Sequence, residues 1–218
     1  MALENYNPPT SPFLDIVYQD ESLVVFNKQS GLLSVRGKAK EHQDSLQSRV
    51  ESVWPGVGIV HRLDMSTSGL MVMALNKSTL KELNRQFQQR ETNKRYEALV
   101  WGKIGQAEGV ITEPLIVDWP NKPKQKVCYE YGKPSETRWR VLEEMEGYTR
   151  LELIPITGRS HQLRVHLASI GHPILGDKFY AHDEAFQLRS RLCLHAKELG
   201  FKHPQTDEMV SFKISVPF

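Results

Sequence analysis

Cysteine is scarce in this sequence, and the two cysteines present are poorly placed for metal binding. Cys128 and Cys193 form no C-x-x-C motif, so neither a disulfide framework, a cysteine-ligated zinc site nor the zinc deaminase signature is indicated. His161 and His166 are five residues apart, which places them about 140° apart around a helix. They therefore cannot share a metal ion in the way that an i, i+4 pair can, and we predict no metal site.

Long apolar runs and a large excess of one charge are also missing. The longest strongly apolar run, Leu70 to Leu75, is far shorter than the roughly 20 residues that span a bilayer. Met1 to Asn5 lack the pattern of a signal peptide. Lysine and arginine total 28, and aspartate and glutamate total 26, so the formal net charge is +2. A charge this small does not indicate a polyanion as a partner. We predict a cytoplasmic protein that does not bind a membrane.

Glycine-rich nucleotide-binding loops are absent as well. Gly31 and Gly37 lie one residue too far apart for a phosphate-binding loop, and Ala39 stands where that loop needs a hydroxyl. The sequence Gly56-Val57-Gly58 is a lone G-x-G that precedes a predicted strand rather than a helix. Neither motif therefore indicates a nucleotide cofactor.

The sequence does contain enough apolar residues for one substantial domain. Its 218 residues are 39% hydrophobic and 25% charged, the proportions of an ordinary globular protein. Residues 1–12 are polar and proline-rich, which predicts a flexible tail before a domain at 13–218. Strand and helix patterns mix without a steady βαβ repeat, so we predict an α+β fold with a mixed, mostly antiparallel sheet and flanking helices and loops.

Alternation and helical spacing place the predicted elements. Strands are predicted at Ile16–Tyr18, Leu23–Asn27, Leu70–Leu75, Arg95–Trp101, Trp139–Leu142, Thr149–Ile154, Leu192–Leu194 and Val210–Ser215. Helices are predicted after Asp44, after Asn76, after Ser160 and near Asp183–Leu188. In the third helix, Leu163, Leu167 and Ile170 would form the buried stripe.

The most unusual stretch is polar and lies between two extended apolar segments. Val60 to Leu70 contains Arg62, Asp64, three hydroxyl residues and a glycine. Buried polar groups need partners, and residues with chemical roles concentrate on loops between rigid elements. Asp64 is therefore a candidate functional carboxylate. The alternative is a surface turn in which Asp64 caps its own backbone.

Two other segments carry charge in places where a binding site would need it. Arg159 and Arg164 flank the first turns of the third predicted helix, and helix N-termini attract anions. An arginine beside Asp64 would keep that carboxylate ionised, although a structural ion pair would explain the same residues. From Trp119 to Arg140, lysines and aromatics are interleaved as in single-stranded RNA-binding surfaces; a flexible exposed hairpin is the alternative.

Five motifs, in order along the chain, resemble those of the RluA-type pseudouridine synthases. Two are long: one resembles H-R-L-D-x-x-T-S-G-[LIV] and the other T-G-R-x-H-Q-[IL]-R-x-H. One short match arises easily by chance, but five in sequence do not. Gln29 and Arg36 stand where the family usually has proline, which affects loop shape rather than the proposed chemistry. The motifs lie at His61–Leu70, Lys94–Val100, Thr157–His166, His172–Tyr180 and Leu194–Ala196.

The resemblance implies a role for each central residue. Asp64 would attack the uracil ring or the ribose C1′, or act as a base in a glycal route; the sequence leaves these open. Arg164 would pair with Asp64, and Tyr96 would stack on the uracil or assist proton removal from C5. Arg62 would fill the gap left by a flipped-out nucleotide, and Leu163 would pack under the base. No cofactor is required.

The resemblance also implies the partner. Small dual-specificity members of the family isomerise a uridine in a tRNA anticodon stem-loop and one in a 23S rRNA hairpin. We expect RNA contacts from His61, Arg159, Lys122, Lys124 and Lys126 and from the basic face of the second helix, with salt-dependent binding. We expect no S4-type domain, no obligatory protein partner and a monomer.

Two other functions use the same residues. A catalytically inactive RNA-binding or chaperone module of this fold would need no carboxylate facing RNA, because like charges weaken affinity. A retaining glycosidase would need a second carboxylate about 5 Å from Asp64. Glu97 is the nearest motif acid, but strand alternation points it to the face opposite Tyr96.

Overall fold

The computed structural model describes residues 6–218, and its elements make an α+β fold. The described residues form two compact units: an N-terminal unit of residues 6–94 and 196–217, and a central unit of residues 95–195 with Phe218. The helices are α1 (Leu46–Glu51), α2 (Lys77–Gln89), α3 (Gln162–Ser169) and α4 (Asp183–Gln187). The strands are β1 (Ile16–Gln19), β2 (Leu23–Lys28), β3 (Gly58–Ile59), β4 (Ser68–Ala74), β5 (Asn93–Trp101), β6 (Glu108–Ile111), β7 (Leu115–Val117), β8 (Gln125–Val127), β9 (Thr137–Met145), β10 (Tyr148–Pro155), β11 (Leu194–Lys202) and β12 (Met209–Lys213).

Strand β4 is the centre of the N-terminal unit. It pairs with β2 and β3, β2 pairs with β1, and β11 pairs with β12, all antiparallel. All seven β4 residues are buried, because alternate side chains enter two different cores. Leu70 and Val72 pack with Leu83 of α2, whereas Met71 packs with Val50 of α1. A strand covered on both faces reads as a continuous apolar run, which is the pattern predicted for Leu70–Leu75.

The helices of the N-terminal unit begin at side-chain caps. The predicted capping region, Asn76 to Thr79, contains the cap of α2: Asn76 Oδ1 accepts the Thr79 N–H at 2.9 Å. The prediction that α1 begins at Asp44 is off by one residue. Ser45 is the cap and forms a capping box with Ser48, while Asp44 forms a bidentate ion pair with Arg49.

The predicted tail falls partly on residues 1–5, which lie outside the described residues. Residues 6–12 make specific contacts within the N-terminal unit. The Tyr6 hydroxyl donates to the Asp44 carbonyl at 2.9 Å and accepts the Leu33 N–H at 3.0 Å. Buried Arg49 donates to the Pro9 carbonyl at 2.8 Å. The domain boundary at residue 13 stays a prediction.

The central unit is built on an antiparallel sheet in the order β5-β10-β9-β6, with β7 and β8 forming a separate hairpin. Leu99, Leu151 and Leu153 of the sheet and Leu167 of α3 are buried in one apolar core. The predicted stripe on α3 is correct for Leu163 and Leu167, but Ile170 is 37% exposed because the helix ends at Ser169.

The predicted class, an α+β fold with a mostly antiparallel sheet, is confirmed. The strands β6, β7 and β8 were not predicted, and β11 extends eight residues beyond the predicted Leu194 end, to Lys202. Within residues 6–218, no helix is long and apolar enough to cross a membrane.

Candidate active site

Asp64 lies on a loop of residues 60–67 that joins β3 to β4 in the N-terminal unit. Its neighbours face different surroundings: Arg62 is exposed, Leu63 is buried and Asp64 is half-buried. The Asp64 carbonyl accepts the Thr67 N–H at 3.1 Å, which makes the end of the loop a tight turn. A half-buried carboxylate beside an exposed arginine can meet a ligand without leaving its loop.

Two serines fix the backbone of this 60–67 loop. The Ser34 hydroxyl donates to the Leu63 carbonyl at 2.6 Å and accepts the Leu63 N–H at 3.1 Å. The Ser30 hydroxyl donates to the Ser66 carbonyl at 2.7 Å. Asp64 therefore lies between two backbone positions that are held by side chains of the segment after β2.

Lys28 holds the same loop with a buried charge. Only 1% of its surface is exposed, and its ammonium donates to the carbonyls of Gln29, Leu32 and Met65 at 2.7–3.1 Å. The Met65 carbonyl also accepts the Gly31 N–H at 2.9 Å. A buried ammonium is costly unless its donors are satisfied. Here three backbone carbonyls accept from it, and one of them belongs to Met65, the residue after Asp64. Sequence analysis missed Lys28, although a lysine at the end of a mostly apolar strand was a usable signal.

Position 69, directly after the loop, requires a glycine. Its φ is +117°, and a Cβ there would lie 2.4 Å from the Ala196 carbonyl oxygen and 2.5 Å from the Ala196 nitrogen. Both contacts are with backbone and cannot be relieved by a side-chain rotation. A side chain at residue 69 would therefore push β4 away from β11 at the end of the Asp64 loop.

His61 is a neutral structural residue in this unit. Its Nε2 accepts the Val72 N–H at 3.1 Å, and its ring stacks on Phe87 of α2 with centroids 4.5 Å apart. Burial, and to a smaller extent the charge of Lys94, lowers the pKa of His61 to about 3. An acceptor nitrogen cannot carry a proton, so the geometry and the pKa agree. His61 was predicted as an RNA contact, and these bonds give it a role in holding the loop.

Tyr96 and Glu97 lie next to each other on β5 in the central unit. Tyr96 is half-buried, is opposite Leu153 in the register and packs against the apolar core of this unit. Glu97 is buried and forms an ion pair with Arg150 at 3.3 Å. This ion pair gives the Glu97 carboxylate a structural role.

Arg164 is buried on α3 and is held by a partner that sequence analysis missed. Its Nε and Nη2 donate to Asp177 Oδ2 and Oδ1 at 2.8 and 2.7 Å. The guanidinium carbon lies 5.2 Å from the Phe179 ring centroid and 5.1 Å from that of Tyr180. A bidentate carboxylate and two aromatic faces fix the plane of the guanidinium. The acid in the motif His172–Tyr180 was the available signal.

Gln162 and its partners fix the start of α3. Its Oε1 accepts the Thr157 hydroxyl at 2.7 Å and the Arg159 N–H at 3.0 Å. Its Nε2 donates to the Glu136 carbonyl at 2.9 Å and to the Thr137 hydroxyl at 3.0 Å. Every polar atom of this buried amide is satisfied, so the first turn of α3 is anchored to β9.

His166 continues this hydrogen-bond network. Its Nδ1 lies 2.9 Å from the Thr137 hydroxyl, and its Nε2 lies 2.9 Å from the Glu113 carbonyl. A carbonyl requires a donor, so Nε2 carries the proton and Nδ1 accepts the hydroxyl of Thr137. Burial lowers the pKa of His166 and keeps it neutral. This histidine anchors α3 through these two hydrogen bonds.

Leu163 and Arg159 occupy different surroundings near the start of α3. Leu163 is 8% exposed and packs in the apolar core of the central unit. Arg159 is exposed, and its Nε donates to the Pro134 carbonyl at 3.3 Å. Arg159 therefore retains donors that can reach an anion, since a guanidinium carries five N–H groups.

The hairpin of β7 and β8 presents the predicted RNA-binding lysines in the central unit. At its tip, the Lys122 ammonium lies 3.1 Å from the ring centroid of Trp119, which is 69% exposed. The next lysine, Lys124, lies 5.9 Å above the Phe179 ring. Within the described residues neither lysine has a carboxylate partner, so both charges are available to phosphates.

Other predicted cations are neutralised by neighbouring acids. Lys126 lies 3.6 Å from Asp118, and these residues flank the hairpin tip. The predicted basic face of α2 is reduced, because Arg85 contacts two glutamates, while Lys77 and Lys81 remain exposed. The arginine–glutamate ion pairs that involve these predicted cations are Arg85–Glu82 at 2.7 Å, Arg85–Glu91 at 2.9 Å, Arg138–Glu136 at 3.0 Å and Arg140–Glu152 at 2.8 Å.

Each unit brings together part of the predicted site. The N-terminal unit holds Asp64 with Arg62 and His61. The central unit holds the other predicted residues, which are Tyr96, Leu163, Arg164, Arg159, Lys122, Lys124 and Lys126. The pairing of Asp64 with Arg164 stays a prediction. Among residues 6–218, no group of three or more His, Cys, Asp or Glu side chains could hold a metal ion.

Known proteins resemble the chain along its whole length. Residues 22–169 match the family described as RNA pseudouridylate synthase. Proteins named "Dual-specificity RNA pseudouridine synthase RluA" from Salmonella typhimurium and Escherichia coli K12 are each 53% identical over 219 residues, covering 100% of both chains. A protein of the same name from Vibrio parahaemolyticus is also 53% identical, and the match covers 100% of this chain and 89% of that protein.

Two solved human structures share the fold. "Human RNA Pseudouridylate Synthase Domain Containing 1" superposes with a TM-score of 0.79 at 31% identity, covering 97% of this chain and 87% of that one. "Human RNA Pseudouridylate Synthase Domain Containing 4" superposes with a TM-score of 0.76 at 26% identity, covering 93% and 88%. The similarity therefore includes both compact units.

Proposed function

The chain belongs to the RNA pseudouridylate synthase family and is an isomerase that makes pseudouridine in RNA; from this premise we propose that Asp64 is its catalytic carboxylate. The fixed loop backbone carries the proposal. Lys28 and Ser34 bind the carbonyls on either side of Asp64, so a reactive oxygen would be placed without a cost in loop ordering. No other carboxylate on the motifs has this combination of partial exposure and backbone support.

The reaction rearranges bonds without adding or removing atoms. The N1–C1′ bond of uridine breaks, the uracil turns, and a C5–C1′ bond forms. C5 then loses its proton, and N1 ends the reaction carrying one. Asp64 would begin this sequence by attacking the uracil ring or C1′, or by removing a proton in a glycal route. All three routes need an ionised carboxylate.

Arg164 would act on the charge of Asp64, and Tyr96 would act on the uracil base. Arg164 would pair with Asp64 and keep it ionised, and its bidentate bond to Asp177 would hold the guanidinium in one plane. Tyr96 is half-buried on β5, where its ring could stack on uracil and its hydroxyl could assist the loss of the C5 proton. Leu163 would support the base from below.

The exposed cations would hold the RNA. Arg62 is exposed beside Asp64 and would take the place of the everted uridine, since flipping a base costs a few kcal/mol and leaves a gap in the stack. Lys122 and Lys124 of the hairpin and Arg159 near α3 would contact phosphates, and Lys126 would do so on opening its pair with Asp118. His61 would contribute indirectly, through the loop that it helps to hold.

The proposed substrates are hairpin-loop RNAs. The relatives are named dual-specificity enzymes, which supports two RNA substrates for this chain as well. We assign a tRNA anticodon stem-loop and a 23S rRNA hairpin, as the motif resemblance implies. A monomer acting in the cytoplasm on these RNAs is part of the same proposal.

The alternative functions have less support. An inactive RNA-binding module is not favoured, because the chain is 53% identical over its full length to proteins named as synthases. A retaining glycosidase would need a second free carboxylate, but the nearest motif acid, Glu97, is buried and paired with Arg150.

Asp64→Asn tests the proposal. The amide keeps the size of the side chain but cannot act as a nucleophile or base, so pseudouridine formation in an anticodon stem-loop transcript should fall by at least about 10³-fold. RNA affinity should stay within about threefold. Pseudouridine is read as carbodiimide-dependent reverse-transcription stops. Asp207→Asn, at an exposed acid of the same unit, is the matched control and should retain full activity. Turnover by Asp64→Asn near the wild-type rate would remove Asp64 from this role.

A further inference from the structure

The turn at residues 177–180 contacts both the buried arginine and the RNA-binding hairpin of the central unit. Asp177 receives two hydrogen bonds from Arg164, and its Oδ1 also accepts the N–H groups of Phe179 and Tyr180 at 2.9 and 3.3 Å. One carboxylate therefore fixes the arginine and the shape of the turn together. Sequence analysis assigned no role to this turn.

The two aromatic residues of the turn extend its contacts in both directions. Arg164 lies over both rings at 5.1–5.2 Å from their centroids. Lys124 of the hairpin also lies 5.9 Å from the Phe179 ring centroid. The His161 ring also stacks on Phe179, with centroids 5.8 Å apart. The Phe179 ring is therefore close to both a candidate catalytic cation and a candidate RNA-binding cation.

The hydroxyl of Tyr180 makes the polar connection. It accepts the backbone N–H of Gln125 at 2.8 Å, at the first residue of β8, and lies 2.6 Å from His161 Nδ1. His161 directly precedes α3 and has a φ of +53°, a conformation that a non-glycine residue keeps only when its surroundings fix it. The same oxygen thus binds the first residue of β8, beside the hairpin tip, and the residue that directly precedes the helix of Arg164.

We propose that the Tyr180 hydroxyl is a positioning residue that sets the RNA-bound hairpin relative to Arg164. It does not touch the reacting atoms; it acts through Gln125 and His161. RNA bound by Lys122 and Lys124 would tend to displace the hairpin, and the Tyr180 hydroxyl would keep the hairpin aligned with α3. This inference rests on the proposed function, because it takes Arg164 as catalytic and the hairpin as an RNA contact.

If the Tyr180 hydroxyl aligns the hairpin, its removal should lower the reaction rate rather than the RNA affinity. Tyr180→Phe keeps the ring over Arg164 but removes the oxygen, so the lysines can still bind phosphates. Small displacements of a bound substrate cost large factors in rate. We expect a single-turnover rate constant about tenfold lower, with the RNA Kd changed by no more than about twofold.

A double-mutant cycle separates this role from general support of the fold. Lys122→Ala combined with Lys124→Ala weakens the RNA contact of the hairpin. In that background, Tyr180→Phe should lower the rate by no more than about twofold, because the hairpin no longer delivers the RNA. An equal rate loss in both backgrounds, or no loss in either, overturns the inference.

Two controls keep the outcomes distinct. Tyr6→Phe removes another half-buried hydroxyl that bridges two backbone groups; it should lower the melting temperature by an amount similar to that of Tyr180→Phe while the rate is unchanged. The RNA Kd of the double lysine variant tests the proposed function separately. A Kd equal to that of the wild type removes the hairpin contact and this inference with it. A weaker Kd combined with equal rate losses overturns the inference alone.

Discussion

At the scale of single residues, the region around Asp64 depends on polar side chains that are neutral or fully satisfied. His61 shows the requirement most clearly, because its Nε2 must be unprotonated to accept the Val72 N–H. Protonation would remove that bond and place a charge next to Phe87 and near Lys94. The folded chain therefore holds His61 in one protonation state over a range of pH in which a free histidine would titrate.

This property predicts a pH dependence of stability. The folded pKa of His61 is about 3, against 6.5 for the ordinary side chain. Between these values the unfolded chain binds a proton that the folded chain does not, so the free energy of unfolding decreases as pH falls from about 6.5. One such group contributes a slope of up to about 1.4 kcal/mol per pH unit. His61→Gln, whose side-chain oxygen can still accept the Val72 N–H, should flatten the slope between pH 6.5 and 4.

The measurement is urea unfolding at a series of pH values. His166 contributes in the same direction, because its pKa is also lowered by burial, so part of the slope should remain. Phe87→Leu is the control: it removes the ring that stacks on His61 and should lower stability by about 1 kcal/mol at every pH without flattening the slope. An unchanged slope in His61→Gln would show that His61 is not held neutral.

At the scale of secondary-structure elements, patterns that repeat along the chain were predictable. The apolar run of β4 and the capping region before α2 follow from local chemistry, and the structure has both. The β7–β8 hairpin was not predicted, because each of its strands has only three residues and no period can be read from so short a segment. Its position is fixed by contacts such as that between Gln125 and Tyr180, which are 55 residues apart.

The candidate site was predictable to a similar extent. The motifs nominate Asp64, Tyr96 and Arg164 as site residues, because those residues stand in recognisable local sequences, and this assignment stays a prediction. Lys28 and Asp177 were missed, since their importance comes from partners distant in sequence: Lys28 binds a carbonyl 37 residues away. Local sequence shows which residues carry chemistry, whereas the residues that hold them are defined only by the fold.

The support of the 60–67 loop by the segment after β2 predicts a defect that is confined to that loop. Ser34→Ala removes both hydrogen bonds to Leu63 and leaves a buried N–H and C=O without that partner, which should lower the free energy of unfolding by about 1–3 kcal/mol. Hydrogen exchange should accelerate at the Leu63 amide, and pseudouridine formation should decrease. Ser78→Ala removes an exposed hydroxyl bonded to Asn76 and is the control. Unchanged exchange at Leu63 would contradict the role given to Ser34.

At the scale of the whole molecule, the net charge conceals an uneven distribution of free and paired cations. The formal net charge is only +2, yet many acids are bonded to nearby arginines. Arg138 and Arg140 are neutralised by Glu136 and Glu152. Lys122, in contrast, lies against an aromatic ring rather than an acid. The cations available to phosphates are therefore fewer than the composition suggests, and the hairpin carries two of them.

The salt dependence of RNA binding should follow this distribution. Each phosphate contact releases counterions and adds roughly 0.7–0.9 to the slope of log K against log salt concentration. Lys122→Ala and Lys124→Ala should each reduce that slope by about this amount. Arg138→Ala should reduce it by much less, because its charge already has a partner in Glu136. Filter binding of an anticodon stem-loop between about 50 and 200 mM salt gives the slope for each variant, and a reduced slope marks a lost phosphate contact. Equal slopes for the lysine and arginine variants would mean that the ion pairs open when RNA binds, and that the whole basic segment, rather than the hairpin tip, holds the RNA.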